Sequence, residues 1–415
     1  MMVGYHSTVE LAAAAFINSI TGGPVVMVIG YSTHIGVLVA QSLGREHGRL
    51  AGRILRHGLI SNFIISLILV AGLEIINSHL YWFHQTSEVE NTAHGFLSCM
   101  TISVVPLALF NALRQYADGL QVTLPSMLVI IGSVIVNTIC NYFLIFGHGG
   151  APELGLVGAG IGTLIARTLM FIAMALYVVR ARRFRNYRDG LFGKKIEWHY
   201  LFSGFKIGAP SALQNLFEAG IFFFVAFMMG WIGTEPLAAN QTVMSLVAVL
   251  YMLPLGLSIA TSVRVGEATG RGDPMSARRI GFAALATSLV ATSLCAVFLV
   301  LCRNLLPRLF TNDLNVIAIA QGLYVIAGFF QIFDGTQAVL VGALRGMSDV
   351  KVPTLVMFIA YWALGAPLAY FAGFTLKFGH IGVWVGLALS VVANAIGLTF
   401  RFDRISSHRI RVPKP

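Results

Sequence analysis

The chain alternates long apolar runs with short polar breaks, and the runs set its architecture. Eleven stretches of 20 or more residues are nearly free of charge, near positions 11 to 38, 54 to 80, 93 to 113, 125 to 147, 156 to 180, 203 to 232, 237 to 262, 280 to 302, 316 to 343, 353 to 373 and 380 to 400. Each is long enough to cross about 30 Å of hydrocarbon as a helix. Lipid offers no partner to a backbone amide, so helices are the expected element throughout. The pattern predicts an all-α polytopic membrane protein with eleven spans.

The longest polar break, Arg180 to His199, carries seven Lys or Arg residues and separates five spans from six. It predicts an N-terminal bundle over 1–183, a basic linker over 184–200, a C-terminal bundle over 201–402 and a tail over 403–415. An internal repeat supports two related halves. Leu11-Ala12-Ala13 and Leu237-Ala238-Ala239 open segments that stay aligned at an offset of 226 for 44 residues, with identities that include Gly30/Gly256, Ser32/Ser258, Gly44/Gly270, Arg45/Arg271 and Arg53/Arg279. A second pair matches Leu113-Arg114 and Asp118 with Leu344-Arg345 and Asp349. A glycine ladder follows each at an offset of 224: Gly155/Gly379, Gly158/Gly382 and Gly162/Gly386. The halves are expected to be pseudo-symmetric helical bundles in parallel orientation, related by an axis along the membrane normal. The span matching 203 to 232 would precede Leu11, where little more than Met1-Met2-Val3-Gly4 remains. The expectation is that the first helix of the first half is truncated and the natural protein begins upstream.

Composition agrees with a membrane chain. Of 415 residues 57% are hydrophobic and 11% charged, against about a quarter charged in soluble proteins. The net charge of +11 would suit nucleic acid only if the bases formed a patch, and they do not. Of 28 Lys and Arg residues, 23 fall at alternate helix ends, among them Arg45 to Arg56, Arg180 to Lys195, Arg264 to Arg279 and Arg401 to Lys414. This positive-inside pattern places the basic ends and the C-terminus in the cytoplasm, and with eleven spans it places Met1 outside. Cys99, Cys140, Cys295 and Cys302 lie in apolar runs without CxxC or metal spacing. The first ten residues do not read as a cleavable signal.

Charges deep inside the runs are the candidate chemistry. Glu218 lies near the middle of its span and Asp334 is the only aspartate deep in any span; a charge at that depth costs about 2.5 to 3.5 kcal/mol on insertion scales. Facing one lumen, the two acids can share a cation through oxygen ligands or take up a proton; the plainer reading is a pair of buried acids capped by hydroxyls or paired with a base. Gln331 and Gln337 flank Asp334 three residues to either side and suit a polar lumen or interhelical hydrogen bonds equally. Asn137 and Asn141 stack on one helical face, to serve a substrate or ion or to join helices. Arg167, about 13 residues from the basic end of its span, is read first as a structural partner and second as a cavity residue. Phe330 and Tyr361 are aromatic faces for a flat cation, worth about 2 kcal/mol when desolvated, or packing residues.

The chain resembles the multidrug and toxin extrusion (MATE) family, in its NorM-like bacterial branch. The resemblance rests on the order and spacing of Met2-Val3-Gly4, Gly44-Arg45, Asn137 through Asn141-Tyr142-Phe143 to Gly147, Gly158-Ala159-Gly160, Glu218, Arg264-Val265-Gly266, Asp334 and Leu344-Arg345-Gly346. It implies two helical bundles around a central cavity, alternating access, and export of cationic amphipathic drugs in exchange for Na+ or H+. It implies no cofactor beyond the coupling ion, which Glu218 and Asp334 would bind, and drugs and membrane lipids as partners of a monomer in the bacterial inner membrane. Family members usually carry an Asp just before the segment matching Met1 to Gly4, and that carboxylate has no counterpart here. Oxygens from Glu218, Asp334, Gln331, Thr336 and Gln337 favour Na+ over H+.

Other functions fit less well. The sequence has no GxxxxGK[ST] loop for an ATP-driven pump. It has no HExxH or GxSG, and a single deep aspartate does not make an aspartyl protease, so an intramembrane enzyme is a remote reading. A lipid-linked oligosaccharide flippase of related architecture is the nearest rival, and it would line its cavity with cations.

Overall fold

In a computed structural model, residues 7–83, 86–148, 152–191 and 197–407 are described. The expected truncated helix at Met1 to Gly4, residues 192–196 of the linker and the tail after Ser407 lie outside them. Among the described residues eleven helices are long and apolar enough to cross a membrane: α1 Thr8–Gly44, α2 Gly48–Ser78, α3 Ser87–Gly119, α4 Leu124–Phe146, α5 Gly155–Arg180, α6 Trp198–Ile232, α7 Thr234–Gly270, α8 Pro274–Leu301, α9 Leu314–Gly346, α10 Lys351–Thr375 and α11 Gly379–Ser407. Every expected span is present, and no described residue forms a strand.

The chain divides into two compact units, Met1–Ala212 and Leu213–Pro415. The division falls inside α6, beyond the linker expected over 184–200. The linker instead forms a 3-10 stretch, Arg182–Gly190, that packs on α2. Gly52 makes this possible, because a Cβ there would sit 2.2 Å from the Tyr187 carbonyl oxygen. His57 completes the attachment: its Nδ1 meets the Arg53 carbonyl at 2.7 Å and its Nε2 accepts the Glu197 N–H at 2.9 Å.

In the first unit α3 is the most enclosed helix, packed along α1, α2 and α5. Only Ser126 and Ile145 of α4 are buried, and Leu128, Ile131, Val134 and Ile135 are exposed, as a lipid-facing helix requires. In the second unit α9 packs along α7, α8 and α11 around a core of Tyr324, Phe330, Tyr361, Trp384 and Phe402. Small residues set these approaches. A Cβ on Gly342 would lie 2.3 Å from the Ser258 carbonyl oxygen, and one on Gly346 2.6 Å from that of Ser262.

The repeat holds at the level of contacts. α1 and α7 are both 37 residues long, and α3 and α9 both 33. Gly119 meets the Gly36 carbonyl and Val39, just as Gly346 meets the Ser262 carbonyl and Val265. Gln121 and Ser348, two residues further on, both have φ of +61°. This register corrects the expected match of Leu113-Arg114 with Leu344-Arg345. The equivalent positions are Gly119 and Gly346, one helical turn away from that alignment. The two Leu-Arg pairs share a local sequence but not a place in the packing. The glycine ladder holds as expected: Gly155 and Gly379 open α5 and α11 with φ of +52° and +57°, and Gly158 and Gly382 each meet the backbone of the preceding helix.

Helix α10 is not a uniform α-helix. Segments Ile359–Gly365 and Phe371–Thr375 take the wider π register. Pro367 has no N–H to return to the preceding turn, and a widened turn is one way a helix absorbs that loss. Tyr361 sits in the first of these segments.

Candidate functional site

The second unit builds a polar network inside an apolar core. Asp334 is 2% exposed and Gln337, one turn along α9, is 1% exposed. Their spacing brings the side chains together, and Gln337 Nε2 donates to Asp334 Oδ1 at 2.9 Å. The same nitrogen donates to Glu218 Oε1 on α6 at 3.3 Å. Glu218 also accepts from the Tyr251 hydroxyl on α7 at 3.0 Å. On the other side Gln337 Oε1 accepts from the Tyr361 hydroxyl on α10 and from Asn394 Nδ2 on α11, each at 2.6 Å. Four helices therefore meet at one glutamine amide, and α7 joins the network as a fifth through Tyr251.

Glu218 and Asp334 are brought together through a shared donor. Two carboxylates around one neutral donor repel each other at low dielectric, and a cation or a proton between them relieves that repulsion. The arrangement offers oxygen ligands to a hard cation. The base in electrostatic range of Glu218 is Arg345, whose Nη2 donates to Gln214 Oε1 at 3.2 Å; Gln214 in turn donates to the Val350 carbonyl and Thr354 Oγ1, each at 3.1 Å. Among the described residues no group of three or more His, Cys, Asp or Glu has the geometry of a metal cage.

The other expected residues take varied places. Gln331 is fully buried, and neither polar atom of its side chain has a hydrogen-bond partner among the described residues. Thr336 donates its hydroxyl to the Ile332 carbonyl at 2.9 Å and keeps lone pairs for another ligand. Phe330 and Tyr361 are both fully buried; Phe330 packs edge-on against Phe222 and Trp384, so in this arrangement it is a core residue. In the first unit Asn141 donates to Asn137 Oδ1 at 3.1 Å, and Asn137 reaches Thr163 Oγ1 on α5 at 3.4 Å. Arg167 donates to Ser103 Oγ on α3 at 2.6 Å, the structural pairing expected first. None of these three joins the network around Asp334.

Tyr251, Asn394 and Arg345 belong to the network and are not among the expected site residues. A lone Tyr or Asn in an apolar run reads as helix-to-helix packing.

Among the described residues, the first unit does not repeat the network at the equivalent positions. Carried back by the register that pairs Gly346 with Gly119, Asp334 and Gln337 fall on Leu107 and Phe110; by the ladder register Asn394 falls on Met170. Those three residues belong to one buried apolar cluster. Where the second unit holds an acid and two amides, the first holds hydrocarbon.

Comparisons with known proteins agree with this architecture. The MatE family model matches residues 1–143 and 210–371. The chain is 32% identical over 410 residues to a probable multidrug resistance protein NorM of Xylella fastidiosa strain 9a5c, covering 99% of this chain and 87% of that protein. It is 33% identical over 411 residues to the protein of the same name from Rhodopseudomonas palustris, covering 98% and 86%. Among solved structures, a mutant of the Vibrio cholerae MATE transporter VcmN superposes with a TM-score of 0.90 at 16% identity, covering 99% of this chain and 92% of that one. The eukaryotic MATE transporter AtDTX14 superposes with a TM-score of 0.86 at 22% identity, covering 99% and 93%.

Proposed function

This chain belongs to the MATE family, and from that premise we propose that it exports cationic, amphipathic drugs in exchange for Na+ that enters at Glu218 and Asp334. The observation that carries the reading is the carboxylate pair joined by Gln337 on a single nitrogen, at the meeting of five helices. Charge buried at such depth is retained in membrane proteins chiefly along ion or substrate paths. Names given to its relatives, multidrug resistance protein among them, supply the substrate class. Oxygens of Glu218, Asp334, Gln331 and Thr336 favour Na+, whereas a proton needs only one carboxylate.

Energetics allow either ion. One charge moving through 100 mV provides about 2.3 kcal/mol and a tenfold gradient about 1.4 kcal/mol more. Together these sustain a gradient of several hundredfold for a neutral drug, on the order of a factor of ten per 1.4 kcal/mol. In the flippase reading a cationic lining would hold pyrophosphate; here the deep guanidinium of Arg167 is bonded to Ser103 and so is engaged within the protein. The same proposal places the protein in the bacterial inner membrane as a monomer, with its basic helix ends and C-terminus in the cytoplasm.

The test is efflux of a fluorescent organic cation from proteoliposomes under an imposed Na+ gradient. The proposal expects accumulation of the dye against its own gradient. Dye movement no faster than in protein-free liposomes, under both Na+ and pH gradients, rejects it.

A further inference from the structure

The geometry of Gln337 points beyond a fixed brace: we propose that its side-chain amide turns over when a metal cation enters the Glu218–Asp334 pair, so that its oxygen joins the site and its nitrogen turns to Tyr361 and Asn394. The inference rests on the reading of that pair as the ion site. It adds a reversible ligand and a path from ion occupancy to α10 and α11.

A primary amide has two N–H donors and an oxygen with two lone pairs. At Gln337 all four are used. Both donors go to carboxylates, at 2.9 Å and 3.3 Å, and both lone pairs accept, from Tyr361 and Asn394 at 2.6 Å. This orientation suits carboxylates that only accept. It does not suit an occupied pair. A cation between the acids repels an N–H pointed at it and attracts an oxygen. A half-turn about the last side-chain bond exchanges nitrogen and oxygen without moving the rest of Gln337, because that torsion is soft and close to two-fold.

The turned amide must find acceptors for its N–H groups at the far end. The Tyr361 hydroxyl can accept as well as donate. Asn394 supplies the independent observation: its Oδ1 is buried and has no hydrogen-bond partner in the described structure. That oxygen belongs to the amide whose nitrogen now faces Gln337. If Asn394 turns with Gln337, the contact at 2.6 Å is kept with its roles reversed. Both arrangements hold four bonds at Gln337, so the charge of the occupant decides between them.

The surroundings allow the signal to travel. Tyr361 lies in the π-helical segment Ile359–Gly365, a register that α-helices adopt often at functional sites. The titratable groups bonded to the amide are Glu218 from α6, Asp334 from α9 and Tyr361 from α10; around Glu218 lie the Tyr251 hydroxyl from α7 and, in electrostatic range, Arg345 from α9. α11 contributes Asn394, and α8 meets this stretch of α9 with Ser288 and Thr292, which are uncharged.

Isotope-edited infrared difference spectra of the full chain in lipid, with glutamine side-chain carbonyls labelled, test the proposal. Spectra are taken on Na+ addition at fixed pH and on acidification without Na+, and the Gln337 band is the one missing in Gln337→Leu. Carboxylate bands report whether the ion reaches Glu218 and Asp334. The expected result is that the carboxylate bands and the Gln337 band move together on Na+ addition, at one midpoint. Gln337→Leu should weaken that ion's midpoint roughly tenfold, about 1.4 kcal/mol, and Gln337→Glu, which keeps an oxygen, should hold it within about twofold of wild type or tighten it. Carboxylate bands that move while the Gln337 band stays fixed and Gln337→Leu keeps its midpoint overturn the turnover and leave the ion site standing. Carboxylate bands that respond to neither ion overturn the ion site, and the turnover with it.

Discussion

Asp334 contributes a charge, and its shape alone will not replace it. Asp334→Asn keeps size and hydrogen bonding but removes the negative charge a cation needs. The variant is expected to insert at wild-type levels and to lose ion-coupled efflux in the proteoliposome assay; wild-type rates would remove Asp334 from the ion path. Glu218 is only partly buried and has two donors on one oxygen, from Tyr251 and Gln337. Glu218→Gln is expected to retain a fraction of efflux with a weakened ion dependence, because one coordinating oxygen survives. An unchanged ion midpoint would assign Glu218 to structure. At this scale the sequence was informative where a residue was out of place. Two acids in apolar runs stand out by cost alone. Tyr251 and Asn394 do not, because each is ordinary in a membrane helix and gains meaning only from α7 and α11 facing Gln337. Phe330 was ambiguous for the opposite reason, since an aromatic in an apolar run is equally at home in a core.

Helices are held together here by closely approached backbones. Gly342 allows α9 to lie against the Ser258 carbonyl, at 2.3 Å from where a Cβ would be. The obstructing atom is backbone and cannot step aside. Gly342→Ala is expected to lower stability by about 1 to 3 kcal/mol, the usual cost of overpacking, read as a lowered Tm in detergent. Gly256→Ala on α7 meets nothing within 4 Å and should be tolerated or stabilising. Equal Tm changes for the two would contradict this packing account. At the turn before α8, Asp273 caps the helix by accepting the Ser276 N–H at 3.0 Å. The Ser276 hydroxyl, followed by the Ser276 backbone N–H, holds its carboxyl below the ordinary value of 3.8. A group depressed on folding stabilises above its unfolded value and loses that contribution as pH falls through its folded value. Asp273→Ala should therefore lower Tm at neutral pH, and the gap from wild type should close below about pH 3.8. Element positions were legible because hydrophobic length is a strong signal. The repeat was legible in α1 and α7, where glycine-arginine turns fix the register. It slipped by one turn between α3 and α9, because Leu-Arg pairs recur at helix ends for reasons of charge and carry no packing register.

For the molecule as a whole, composition and the spacing of apolar runs set the class, a multi-pass membrane protein, before any motif was needed. They did not locate the division of the chain, since the basic stretch that reads as a linker docks on α2 through Gly52 and His57. Nor did they show how unequal the halves are. Leu107, Phe110 and Met170 fill the positions that correspond to Asp334, Gln337 and Asn394, which confines the acidic network to the second unit. The proposed ion path accordingly lies in the second unit, on the carboxylate pair joined by Gln337. The measurement that tests this most directly is efflux of an organic cation from proteoliposomes with one ion varied and the other clamped, in wild type and Asp334→Asn. The account predicts efflux that rises with the Na+ gradient at fixed pH and is lost in Asp334→Asn. Full-rate efflux in Na+-free buffer under a pH gradient, collapsing when that gradient is dissipated with Na+ present, would contradict it.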